Sequence, residues 1–241
     1  MASAASRAEI VQKLAGQVRG VKRAAQTLDQ TACLSTGLAP LDLLLPGGGV
    51  KPGTLLEWLA EGEGSGAGTV ALSVGASLLN AGGTLVVIDL QQEFYPPAAR
   101  ALNIDLDRVV LVHPAHEADA LWAWEQALRC PAAAAVLGWV ERLNGRVFRR
   151  LQLAVEAGGG VGLMLRGSIA RAQPAWAEAR LLVRPCPSTT LSGRRLRVEL
   201  LYGRGTTQGR SVEVEITDDK GTLHLASRLA PATPPRRAAG A

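Results

Sequence analysis

The residues with the clearest chemical potential lie between Thr54 and Leu72, in the run TLLEWLAEGEGSGAGTVAL. An apolar stretch fit for a buried strand, Thr54 to Leu59, enters Gly62, Gly64, Gly66 and Gly68, then leaves through Val70, Ala71 and Leu72 into a small-residue helix. That is the layout of a phosphate-binding loop, where glycines let backbone N–H groups close around phosphates, a Lys supplies a point charge and a Ser or Thr hydroxyl holds magnesium. The Lys is missing in either register. A loop counted from Gly62 puts Ala67 at the last glycine, Gly68 at the Lys and Thr69 at the hydroxyl; a loop ending on Gly66 puts Ala67 at the Lys and Gly68 at the hydroxyl. Glu61 and Glu63 add anions, and a carboxylate about 4 Å from a phosphate charge costs about 1 kcal/mol in water and about 4 kcal/mol at a surface-like dielectric. The local reading is a tight strand-to-helix turn in an α/β core.

Other chemistry is sparse. His113 and His116 are close in sequence, but Pro114 interrupts the element that would align them, so surface-loop histidines are expected and no metal site. Cys33, Cys130 and Cys186 are far apart and odd in number, which suits reduced, buried thiols. No Ser, Cys or Thr nucleophile has an identifiable base, and no cofactor is expected. Trp122 and Trp124 fall two apart on a helix expected from Ala118 to Leu128, so one should enter the core while the other faces outward as a candidate partner anchor.

The net charge of +5 conceals a segregation. Residues 24–140 hold twelve acids against four bases, whereas 141–210 hold thirteen arginines against four acids. Arginine forks onto phosphate and carboxylate and stacks on bases, so the second block suits a polyanion or an acidic protein surface. Arg166, Arg171, Arg194, Arg195 and Arg197 are the candidate DNA contacts if they share one face. No apolar run reaches the ~20 residues that span a bilayer, and no membrane partner is expected. The chain reads as cytoplasmic and nucleoid-associated.

Three segments are expected to position these groups. In residues 1–30 the apolar positions Ile10, Leu14, Val18 and Val21 recur at helical spacing and form a candidate partner-binding stripe, on a helix that Gly16 and Gly20 weaken by roughly 1 kcal/mol each. Residues 31–228 alternate strands and helices through Arg184, then give strands alone: Leu196, Val198 and Leu200 alternate with Arg195, Arg197 and Glu199, and Val212, Val214 and Ile216 repeat the pattern. A third short strand is expected near Leu223 and Leu225. The helix stripe Phe148, Leu151 and Val155, with Leu153 beside it, precedes a buried strand from Val161 to Leu165. This order calls for a mostly parallel sheet flanked by helices and closed by antiparallel strands at the C-terminal end. Residues 229–241 lack apolar content and read as a disordered tail.

Ser35, Thr36, Gly37, Leu41, Asp42, Gly48, Gly49, Pro52, Gly53 and Glu57 closely resemble the lead-in to the phosphate loop of the RecA family of recombinases. The likeness continues in step through Ile88, Asp89, Pro96, Ala99, Arg100, Leu102, Asp105, Asp107 and Val109. It implies a RecA-like core, with departures where the chemistry lies. Gln91 stands where a RecA-type ATPase carries its water-activating Glu, and a neutral amide is no general base; Gly138 stands where the magnesium-reaching Asp would end a strand. With the absent Lys, all three ATPase elements are replaced.

Trp139, the run RRLQLA from Arg149 and the later RRLRVELLYGRG are similar to the ImuA family, RecA-like accessory proteins of bacterial error-prone translesion synthesis. This resemblance implies a non-catalytic adaptor in the SOS response with RecA, ImuB and an error-prone replicative-type polymerase as partners. In RecA a mobile loop after these strands binds single-stranded DNA; here it is cut to RGSIARAQPAWAEA, keeping Arg166, Arg171 and Trp176. Two alternatives stay open. One is a cell-division inhibitor of the SulA type, and the other is a DNA-dependent recombinase-like ATPase that borrows a Lys from elsewhere.

Overall fold

A computed structural model describes residues 32–174, 176–188, 193–205, 208–219 and 222–229. The stripe Ile10, Leu14, Val18 and Val21 lies outside them, as do residues 230–241.

The chain enters through a turn that its own short polar side chains build. Asp42 accepts from the Thr36 N–H at 2.7 Å and from the Ser35 hydroxyl at 2.7 Å, while Ser77 Oγ donates to the Ser35 carbonyl at 3.0 Å. Short side chains that bond nearby backbone favour such turns over regular structure, so the Ser-Thr-Gly and Leu-Asp identities are explained by folding alone. Helix α1 (Ala39–Leu44) follows and packs on the C-terminal strands.

Strands β1 (Thr54–Ala60), β2 (Thr84–Ile88), β3 (Val109–Val112), β4 (Ala133–Trp139), β5 (Val161–Gly167) and β6 (Ala179–Cys186) pair in parallel, and β7 (Gly193–Gly203), β8 (Ser211–Asp219) and β9 (Thr222–Leu229) continue the sheet as an antiparallel meander. The order across the sheet is β3-β2-β4-β5-β1-β6-β7-β8-β9. The expected fold class is observed, and β9 runs through Leu229, where the tail was expected to begin.

Helices cover the parallel part on both faces because its strands are apolar on both faces. Helices α1, α2 (Ala67–Leu78) and α3 (Pro96–Ala101) join one core that extends beneath the meander through Leu196, Val198, Leu200, Val212 and Val214. Helices α4 (Glu117–Arg129) and α5 (Gly145–Gly158) build the opposite core around Trp124, Leu128, Phe148, Leu151 and Met164. Trp124 is fully buried while Trp122 is exposed, as their spacing requires, and Leu153 faces outward from the α5 stripe. Asn144 caps α5 by accepting from the Val147 N–H at 2.9 Å. The thiols are free but differ from expectation in burial: Cys130 is exposed, and Cys33 and Cys186 are half-buried. Among the described residues no helix is long and apolar enough to cross a membrane.

Candidate functional site at the carboxyl edge of the sheet

The structure decides the register of the glycine loop. Gly66, at φ 86°, is the N-cap of α2, which begins at Ala67. The left-handed conformation suits glycine, and the register is the one in which Ala67 takes the Lys position and Gly68 the hydroxyl position. Ala67 is buried and its methyl joins the core.

Two of the loop's amides are tied within the loop and one of its carbonyls is tied to β7. Ser65, itself buried, accepts from the Ala67 N–H at 3.3 Å, and the Ser65 N–H reaches the Gly62 carbonyl at 3.2 Å. The Arg194 guanidinium, reaching from β7, donates to the Gly64 carbonyl. Leu196, two residues along the same strand and facing the same way, lies against Gly66 so closely that a Cβ there would overlap its side chain. The first helical amide, which in a phosphate loop faces the anion, is thus occupied by a hydroxyl, and β7 supplies an apolar wall.

The two other departures sit on neighbouring strands. Gly138 approaches the Ile88 carbonyl so closely that a Cβ would overlap it, so this backbone holds no side chain at 138. Asp89, at the end of β2, accepts from the Glu93 and Phe94 N–H groups, both at 2.9 Å, which ties its carboxylate into the following turn; His113 Nε2 lies 3.6 Å away. Gln91 is exposed beyond it.

The five candidate arginines do not form one face. Arg166 is fully buried on β5 and donates to Glu57 at 2.8 Å, to the Val140 carbonyl at 3.1 Å and to Gln173 at 2.6 Å. Arg180, also buried, binds the other Glu57 oxygen at 2.5 Å and the carbonyls of Gln173 and Pro174. Register explains the meeting: Glu57 is opposite Arg180, and Arg166 is opposite Leu59, two residues on along the same face of β1. Arg166 is therefore a structural cation and is corrected as a DNA contact. Arg195 and Arg197 project from the other side of β7 than Arg194 and share Glu213, at 2.8 and 3.0 Å. Beside them Arg184 pairs with Glu199. Arg171 is exposed on the 3-10 segment Ser168–Ala172. Trp176 packs on Phe148 with ring centroids 5.5 Å apart, which makes it chiefly a packing residue.

Sequence reasoning missed the Glu57–Arg166–Arg180 cluster. Its signal was a lone charge inside each of the apolar strands β1 and β5 and one of the two arginines of β6, at positions that only pairing could relate. Among the described residues no group of His, Cys, Asp and Glu could hold a metal ion.

Comparison with known proteins accounts for the lead-in. The family profile described as the RecA N-terminal domain matches residues 5–138, more than half of the chain. Protein RecA of Rhodopirellula baltica is 31% identical over 105 residues, covering 44% of this chain and 28% of that protein. Protein RecA of Deinococcus radiodurans is 32% identical over 122 residues, covering 51% and 33%, and that of Salinispora arenicola is 38% identical over 85 residues, covering 35% and 24%. The matched region spans about a third or less of each of these relatives. With its parallel sheet, its phosphate-loop position before α2 and this match, the chain belongs to the RecA N-terminal domain family.

Proposed function

We propose that this chain is a non-catalytic RecA-like adaptor in SOS-induced error-prone translesion DNA synthesis, a pseudo-ATPase that keeps the RecA core as a scaffold for protein contacts. The observation that carries this reading is the self-closed glycine loop, in which Ser65 takes the first amide of α2 and Leu196 abuts Gly66. Ala67, Gln91 and Gly138 at the three ATPase positions support it, because Ala67 and Gly138 bring no charge to the phosphates or the metal and the Gln91 amide is no general base. The ImuA likeness supports RecA, ImuB and an error-prone replicative-type polymerase as partners in DNA repair, with the N-terminal stripe Ile10, Leu14, Val18 and Val21 as a docking element. Single-stranded DNA is a weak ligand in this reading, since Arg195 and Arg197 are shared with Glu213.

The test is ATP turnover by the purified full chain, with and without single-stranded DNA, beside calorimetric titration with each partner. The expected result is background turnover and binding to at least one partner. Turnover that survives further purification and disappears in Gly66→Trp overturns the pseudo-ATPase, and absence of binding to all three partners overturns the adaptor.

A further inference from the structure

Strand β2 is followed by α3 in one core and its neighbour β4 by α5 in the other. Chains leaving adjacent parallel strands toward opposite faces open a crevice at the strands' carboxyl ends, which is where α/β sheets bind ligands. Here that crevice is a cavity of about 260 Å³, bounded by Gln91 after β2, by Trp139 at the end of β4 with Glu141 and Arg142 after it, and by Glu117 and Trp124 on α4. It is separate from the closed loop after β1.

We propose that this cavity takes the guanidinium or ammonium group of a basic residue carried on an extended segment of a partner protein. Trp139 is 38% exposed and offers an aromatic surface to a cation. Among the described residues neither the Glu117 nor the Glu141 side chain has a hydrogen bond or ion pair, so two carboxylates stand unpaired at the mouth. Arg142 shares the rim and leaves the lining with one net negative charge. A phosphate entering here would meet both carboxylates, which disfavours nucleic acid.

Trp124, fully buried, forms the apolar wall of the cavity with Ala120, Leu121 and Val140, a surface for the methylene stem behind the cation. Trp139, Glu117 and Glu141 receive the cation, and the Gln91 amide can bond the peptide polar groups. The lining is held rigidly from behind, because Arg166 binds the carbonyls of Val140 and Glu141.

The inference deepens the adaptor reading and rests on it only in making the occupant a protein segment. The experiment follows the tryptophan indole N–H signals of the full chain by nuclear magnetic resonance. The titrants are acetyl-Gly-Arg-Gly-amide, its citrulline counterpart, which keeps the shape without the charge, and oligothymidylate. The arginine peptide should move the Trp139 and Trp124 signals saturably, the citrulline peptide should bind about tenfold more weakly or worse, and the double variant Glu117→Gln, Glu141→Gln should weaken the arginine peptide by a similar factor. The Trp58 signal, from the core of β1, reports that this variant is folded. An equal response to citrulline, no movement of either indole up to the solubility of the peptide, or unchanged binding by the folded double variant overturns the proposal. Tighter binding of oligothymidylate through the same indoles overturns it in favour of nucleic acid. Each of these failures leaves the adaptor reading to its own test by turnover and partner titration.

Discussion

The loop after β1 and the segment after β5 lie at the same edge of the sheet, and both are closed by unlike forces. The first is sealed by small-scale fit: a glycine in a left-handed conformation, a leucine against it and a serine hydroxyl on one amide. The second is sealed by charge, with Glu57 holding Arg166 and Arg180 while those guanidinium groups reach out to the carbonyls of residues 140, 141, 173 and 174. Apolar closure tolerates change in proportion to the volume removed. A buried ion cluster tolerates the loss of one member badly, because the remaining charges stay out of water without compensation.

Breaking the charged closure should therefore have the largest effect. Glu57→Ala leaves two buried guanidinium groups unpaired and should cost about 3–5 kcal/mol of stability in urea denaturation; a loss below about 1 kcal/mol would show that water or neighbouring carbonyls compensate. Breaking the apolar closure is the counterpart. Leu196→Ala removes a fully buried side chain and should cost about 2–5 kcal/mol, yet calorimetry should still detect no ATP binding, because Ser65 keeps the α2 amide and Ala67 brings no charge. Binding in that variant would locate the whole closure in Leu196.

A smaller effect sharpens the role of charge on the helical face. Glu125 bridges Arg150 and Arg129, joining α4 to α5. The Arg150 hydrogen bond, aided by Arg129 against the opposing effect of burial, holds its carboxyl below the usual carboxylate range. A depressed folded value means the stabilisation is complete above the ordinary carboxylate value, about 4.3, and is lost as pH falls through the folded value. The stability gap between the native chain and Glu125→Gln should thus be constant at neutral pH and narrow below about pH 4.3. A gap independent of pH would mean that the carboxylate's charge contributes nothing there.

Much of this arrangement is legible in the residues themselves. The period of two in Leu196, Val198, Leu200 and in Val212, Val214, Ile216 announces the meander, and the spacing of Trp122 and Trp124 announces one core and one surface ring. Thr36, Gly37 and Asp42 announce a side-chain-built turn, and the missing Lys of the glycine loop is visible in either register. These features are local, set by side-chain direction along a strand or helix and by short-range hydrogen bonding, so they need no knowledge of distant neighbours.

What only the tertiary structure decided is which distant residues meet. The start of α2 at Ala67 selected one of two loop registers, and β7 brought Arg194 and Leu196 onto a loop 130 residues earlier. Glu57 meets Arg166 and Arg180 across separations of 109 and 123 residues. That turned a candidate DNA contact into a structural cation and divided the arginine-rich block between two faces of the sheet and its interior. Composition records how many charges a segment carries, but strand order and register set which of them face one another, and those are fixed only when the whole sheet assembles.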